Sequence, residues 1–123
     1  MTYLAISVGA VLGANLRFVL GRWIADRAGT AFPIGTLVIN ATGSFVIGLV
    51  LVLVTERVAA PPWVRPMVAI GFLGSYTTFS TFSYETLALS QSGAWGPAGL
   101  NIAASVAASL VGVYLGTLLG RAI

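Results

Sequence analysis

Charge is what this sequence has least of. Six arginines and three acids make up its entire ionised complement, 7% of 123 residues, where a soluble domain carries about a quarter. An ordinary solvated surface cannot be built from so few charges, and with 58% apolar residues the chain belongs in a lipid bilayer. Cysteine is absent, which excludes disulfides and thiolate metal sites. Histidine is absent too, removing the usual proton shuttle and the commonest transition-metal ligand. The formal charge of +3 rests on scattered arginines with no basic run and no interleaved aromatic patch, so nucleic acid is not an expected partner. No nucleophile–base pair or metal set points to an enzyme.

What is present is four apolar segments, about 3–24, 33–54, 66–90 and 98–120, each near the roughly 20 residues a helix needs to cross the hydrocarbon core. The first lacks a basic leader and carries its first arginine, Arg17, toward its far end, so it reads as a retained helix. Turn chemistry separates the segments: Asp26 to Thr30 with Pro33, then Pro61-Pro62-Trp63 with Pro66, then Ser90 to Pro97. Trp23, Trp63 and Trp95 stand near segment ends, where indoles anchor at the membrane interface. The fold expected is an all-α membrane protein of one four-helix domain, residues 1–123. Arg57, Arg65 and Arg121 fall on one side of such a bundle and Arg17, Arg22 and Arg27 on the other. With no bias between sides, the chain is expected to insert both ways up and to form antiparallel homodimers. Small residues recur every fourth position at Ala104, Ala108, Gly112, Gly116 and Gly120, and at Gly9 and Gly13, which suits close helix packing.

The third segment is polar where lipid would demand otherwise. Ser75, Tyr76, Thr77, Thr78, Ser80, Thr81 and Ser83 precede Glu85, in a stretch that Gly71 and Gly74 weaken as a helix. A helix break is expected within 71–78, and polarity at that depth is tolerated where it is buried in protein or lines a watery path. Thr36, Asn40 and Ser44 share one face of the second segment; Asn101, Ser105 and Ser109 share one face of the fourth. These lines offer neutral donors with few fixed charges, a set suited to a small anion that must be desolvated without being trapped. A cation path calls for carboxylates or carbonyl rings, and Glu85 is the one acid within a segment. Phe79 and Phe82 sit three apart among the donors, and phenyl rings have electropositive edges that an anion can meet.

These residues resemble the Fluc (CrcB) family of fluoride channels along essentially the whole chain. The likeness is carried by Gly9 to Arg17 (GAVLGANLR), by Pro33 to Asn40 (PIGTLVIN) with Gly43-Ser44-Phe45, and most strongly by Gly71 to Glu85 (GFLGSYTTFSTFSYE). The resemblance implies a dual-topology homodimer with two antiparallel pores and passive flow of fluoride, placed in the plasma membrane of a prokaryote (the inner membrane of a Gram-negative cell). It implies that Phe79 and Phe82 supply an aromatic box and that Asn40 is a pore amide supporting the ion. Thr81, Ser105 and Ser109 then belong to a polar track, Gly74 and Thr77 offer backbone carbonyls to a structural sodium at the dimer centre, Glu85 lies near a pore end and Arg17 near a vestibule. Asn101 departs from the pattern, since some members carry tyrosine there. Neutral HF crosses lipid and dissociates inside, so a selective passive pore relieves fluoride toxicity without an energy source. The alternative is a proton-coupled exporter of organic cations of the small multidrug-resistance type, which relies on a membrane-buried carboxylate in its first helix.

Overall fold

Apolar runs with no proline beyond the first turn give three unbroken helices in a computed structural model that describes residues 1–123. These are α1 (Thr2–Ala28), α2 (Ile34–Val52) and α5 (Trp95–Ala122). The α2 rod continues as a π-helical turn over Leu53–Arg57. All three are long and apolar enough to cross a membrane, so the chain is a multi-pass all-α membrane protein. Between α2 and α5 the chain is helical but interrupted. A π-helical stretch, Pro66–Leu73, runs into the short α3 (Gly74–Tyr76), and α4 (Phe79–Gln91) follows after two extended residues.

The segment ends differ from the expected ones by a few residues. Asp26, Arg27 and Ala28 lie inside α1 rather than in a loop, because the helix runs on to Gly29, whose φ of 77° is open to glycine and stops it. Pro97 lies inside the first turn of α5, where its missing N–H costs nothing. Gly93, with φ 80°, turns the chain between α4 and α5.

Two seams hold the bundle, and each is glycine against backbone. A Cβ on Gly9 would strike the carbonyl of Met67, one on Gly13 the carbonyl of Phe72, and one on Gly71 the carbonyl of Ile6, so α1 lies directly on the π-helical stretch. On the other side Gly48 meets Val113, while Gly112 and Gly116 meet Ala41 and Phe45, joining α2 to α5. The small-residue spacing expected to permit close approach does so here at Gly9, Gly13, Gly112, Gly116 and Gly120. At one end of the α2–α5 seam, Arg57 donates to the Arg121 carbonyl and Arg121 pairs with Glu56 at 3.8 Å.

Candidate functional site

The site is built on the interruption between α3 and α4. Thr77 (ψ 157°) and Thr78 (φ −151°, ψ 112°) are extended, a conformation that β-branched side chains favour. An extended pair at this depth leaves backbone groups that need partners. Asn40 meets them: its Nδ2 donates to the Thr78 carbonyl at 3.0 Å, and its Oδ1 accepts from the Thr78 N–H at 2.7 Å. One amide thus copies the paired bonds of a sheet ladder. Thr78 in turn caps α4, its Oγ1 accepting from the Thr81 N–H at 3.2 Å.

The Thr78 N–H is directed to Asn40 and the Thr81 N–H to Thr78 Oγ1. The carbonyls of Gly74 and Thr77 are therefore left without the donors an unbroken helix would supply. Gly74 is exposed on the protomer, and so are Phe79, Ser80 and Thr81 across the break.

Two clefts flank this point. One, of about 450 Å³, lies between α2, α4 and α5 and gathers Asn40, Phe79, Phe82, Ser105 and Ser109 beside the break; none of its lining residues is ionisable. Phe82 is buried at 8% exposure while Phe79 is 78% exposed, and their rings stand 5.4 Å apart, tilted by 43°. The second cleft, of about 580 Å³, opens between α1, α2 and α4 and collects Arg17, Thr36, Thr81 and Glu85. There Thr36 donates to Glu85 Oε1 at 2.9 Å, and Glu85 Oε2 is buried without a partner. Thr78 lines both clefts.

The sequence candidates are thus divided between two places. Thr36 and Asn40 share a helix face, yet Thr36 lines the larger cleft, and Asn40, which holds Thr78, lines the smaller. Asn101 lines neither: it is 1% exposed, donates to Thr86 Oγ1 at 2.8 Å and accepts from Ser105 at 3.3 Å, tying α5 to α4. Gly74 and Thr77 stand together at the first cleft. Sequence reading named Thr78 only as part of the polar run and gave it no role of its own. Its signal was a hydroxyl directly before a helical run, the mark of an N-cap.

Known proteins match this sequence along nearly its whole length. The family described as "CrcB-like protein, Camphor Resistance (CrcB)" matches residues 4–117. A protein of Roseiflexus sp. (strain RS-1) named "Fluoride-specific ion channel FluC" is 47% identical over 121 residues, 98% of each chain. Proteins of the same name from Chloroflexus aurantiacus (strain J-10-fl) and Acidobacterium capsulatum are 48% and 45% identical, covering 96% and 100% of this chain and 94% and 98% of their own. On a family match of this extent and relatives aligned nearly end to end, this chain belongs to the CrcB (Fluc) family.

Proposed function

We propose that this protein is a passive, fluoride-selective channel that relieves cytoplasmic fluoride, working as an antiparallel homodimer with two pores. The observation that carries the reading is the cleft in which Phe79 and Phe82 stand with the neutral donors Asn40, Ser105 and Ser109 and no ionisable side chain. The names of the related proteins agree with it. Ring edges and neutral donors stabilise a small, strongly hydrated anion as it loses water, and a full positive charge, which would hold it, is absent. Arg17, at the mouth of the larger cleft, draws anions toward the protein from a distance. Thr36, Thr81 and Glu85 form the polar wall between that mouth and the break.

What one protomer leaves bare supports a second copy. Phe79, Gly74, Ser80 and Thr81 are exposed at the level of the break, and hydroxyls and free carbonyls do not face lipid. In this reading the interrupted segment 66–91 is the fourth crossing, and an antiparallel copy covers its open side. The unbonded carbonyls of Gly74 and Thr77 are hard oxygen donors of the kind sodium takes, so these residues fit the structural ion that the family implies. These carbonyls would hold a sodium ion, which would supply a positive charge at the break. Asn40 keeps those carbonyls turned away from the helix axis by holding Thr78 extended.

The exporter alternative needs a buried carboxylate in its first helix. The acid that α1 carries, Asp26, is exposed in its last turn.

Fluoride efflux from liposomes holding the purified protein, with potassium clamped by valinomycin, tests the proposal. Rapid fluoride release with chloride retained is the expected result, and Phe79→Ile or Phe82→Ile is expected to cut that release at least tenfold while the dimer stays folded. Vesicles that contain folded dimer yet release no fluoride would overturn it.

A further inference from the structure

The three residues that lead through the break each meet a different position of α2. Tyr76 is 6% exposed, and its hydroxyl lies 2.9 Å from Thr42 Oγ1. A methyl carbon on Gly43 would strike the Thr77 Cγ2 and come within 3.1 Å of the Tyr76 ring, so both pack directly on the α2 backbone there. Thr78 is held by Asn40. At about 100° per residue, Asn40 and Thr42 stand roughly 160° apart around α2, with Gly43 on the arc between them. Residues 76, 77 and 78 therefore clasp α2 at one edge, the middle and the other edge.

The direction of the Tyr76–Thr42 bond follows from counting protons. A hydroxyl has one hydrogen. Thr42 Oγ1 lies 2.7 Å from the Val38 carbonyl and 3.1 Å from that of Ile39, which only accept. Tyr76 has no other polar partner, and a buried phenol donates. Tyr76 is thus the donor and Thr42 the acceptor. The ring is further fixed by a parallel stack on Phe72, centroids 6.1 Å apart with 3° between planes. The unbonded carbonyls of Gly74 and Thr77 bracket Tyr76, and on the α3 side of the break this phenol is the only polar tie to α2.

We infer that Tyr76 and Thr42 are positioning residues whose hydroxyl pair sets the register of the break against α2 and so aims the Gly74 and Thr77 carbonyls at a shared cation. This rests on the sodium-binding part of the proposed function. Asn40 fixes the far side of the break, and the phenol fixes the near side. Without it the Gly74–Tyr76 turn keeps its apolar contacts and the Ser75 bond to the Ala10 carbonyl of α1, and loses its polar tie to α2.

The test is the thermal stability of the detergent-solubilised protein as sodium replaces N-methylglucamine at constant ionic strength. It is run on wild type, Tyr76→Phe, Thr42→Val, the double variant and Thr42→Ser. Loss of the pair is expected to raise the sodium concentration for half-maximal protection by about three- to tenfold, the size of one net hydrogen bond. Tyr76→Phe and Thr42→Val should do so alike, the double variant should be no worse than the more affected single one, and Thr42→Ser should stay close to wild type. A melting temperature that falls equally at all sodium concentrations, with the midpoint unchanged, would show a packing role only and overturn the inference. So would additive penalties in the double variant, or a wild type indifferent to sodium. If Tyr76→Phe does not fold, the contrast of Thr42→Val with Thr42→Ser removes and restores the same bond from the other side. Fluoride efflux measured in parallel separates the two readings: an impermeable wild type sinks the channel proposal, while the sodium titration still decides the role of this pair.

Discussion

The seams of this bundle and its helix break solve opposite problems in the same membrane. Along α1 and the π-helical stretch, and along α2 and α5, glycines bring backbone onto backbone, and polar side chains bridge the line of contact only toward its ends, at Ser75 with Ala10 and at Arg57 and Glu56 with Arg121. At the break the backbone parts, and side-chain amide and hydroxyl groups take over: Asn40 on Thr78, Thr78 on Thr81, Thr42 on Tyr76. The seams leave no space, whereas the break opens on two clefts. In lipid, where apolar tails compete with apolar side chains, shape holds the frame together. Hydrogen bonds are kept for the place where something polar must be accommodated.

The sharpest way to break that contrast is to thicken a seam. Gly116→Val would drive a branched side chain into the Phe45 carbonyl and the Leu49 N–H. Overpacking against rigid backbone costs about 3 kcal/mol or more, so the variant is expected to yield little folded protein by size-exclusion chromatography.

A smaller but more selective effect is expected from Asn40→Asp. The carboxylate keeps the acceptor for the Thr78 N–H, loses the donor to the Thr78 carbonyl and places a negative charge in the neutral cleft. Stability should fall by about 1–3 kcal/mol, while fluoride efflux should fall by more than tenfold. Normal efflux in that variant would remove Asn40 from the pathway.

Thr78→Val tests whether capping alone holds the amino end of α4. The loss is expected to be about 1 kcal/mol, with Thr78→Ser restoring it, in thermal melts of the purified protein. The mildest change is Arg121→Gln at the exposed end of the α2–α5 seam. Its pair with Glu56 is exposed on both sides, so a loss under about 1 kcal/mol is expected. A larger loss would mean that polar contacts hold the seams as well.

Much of this was legible in the residues. Long apolar runs with proline and glycine at their ends marked the helices, and the four-residue repeat through Gly112, Gly116 and Gly120 marked a surface made for close approach. The break was expected within 71–78 from two glycines and the serine, tyrosine and threonine run that follows them. It falls inside that range at Thr77–Thr78, the β-branched pair, while Gly71 stays helical and packs on α1 at Ile6. Polar faces were legible only as faces. Ser105 and Ser109 do line a cleft, but Asn101, on the same face, is buried and donates to Thr86 on α4.

Composition and periodicity therefore determined that this chain lives in a membrane, where its helices lie, and which residue types face a polar interior. Those properties depend on neighbours along the chain and on the transfer of side chains out of water. Which glycine meets which carbonyl, that Asn40 grips Thr78, and that Thr36 and Asn40 open on different clefts were decided by tertiary structure alone. Each depends on how far one helix slides and turns against another, and a shift of one residue, about 1.5 Å and 100°, would redirect every one of those contacts.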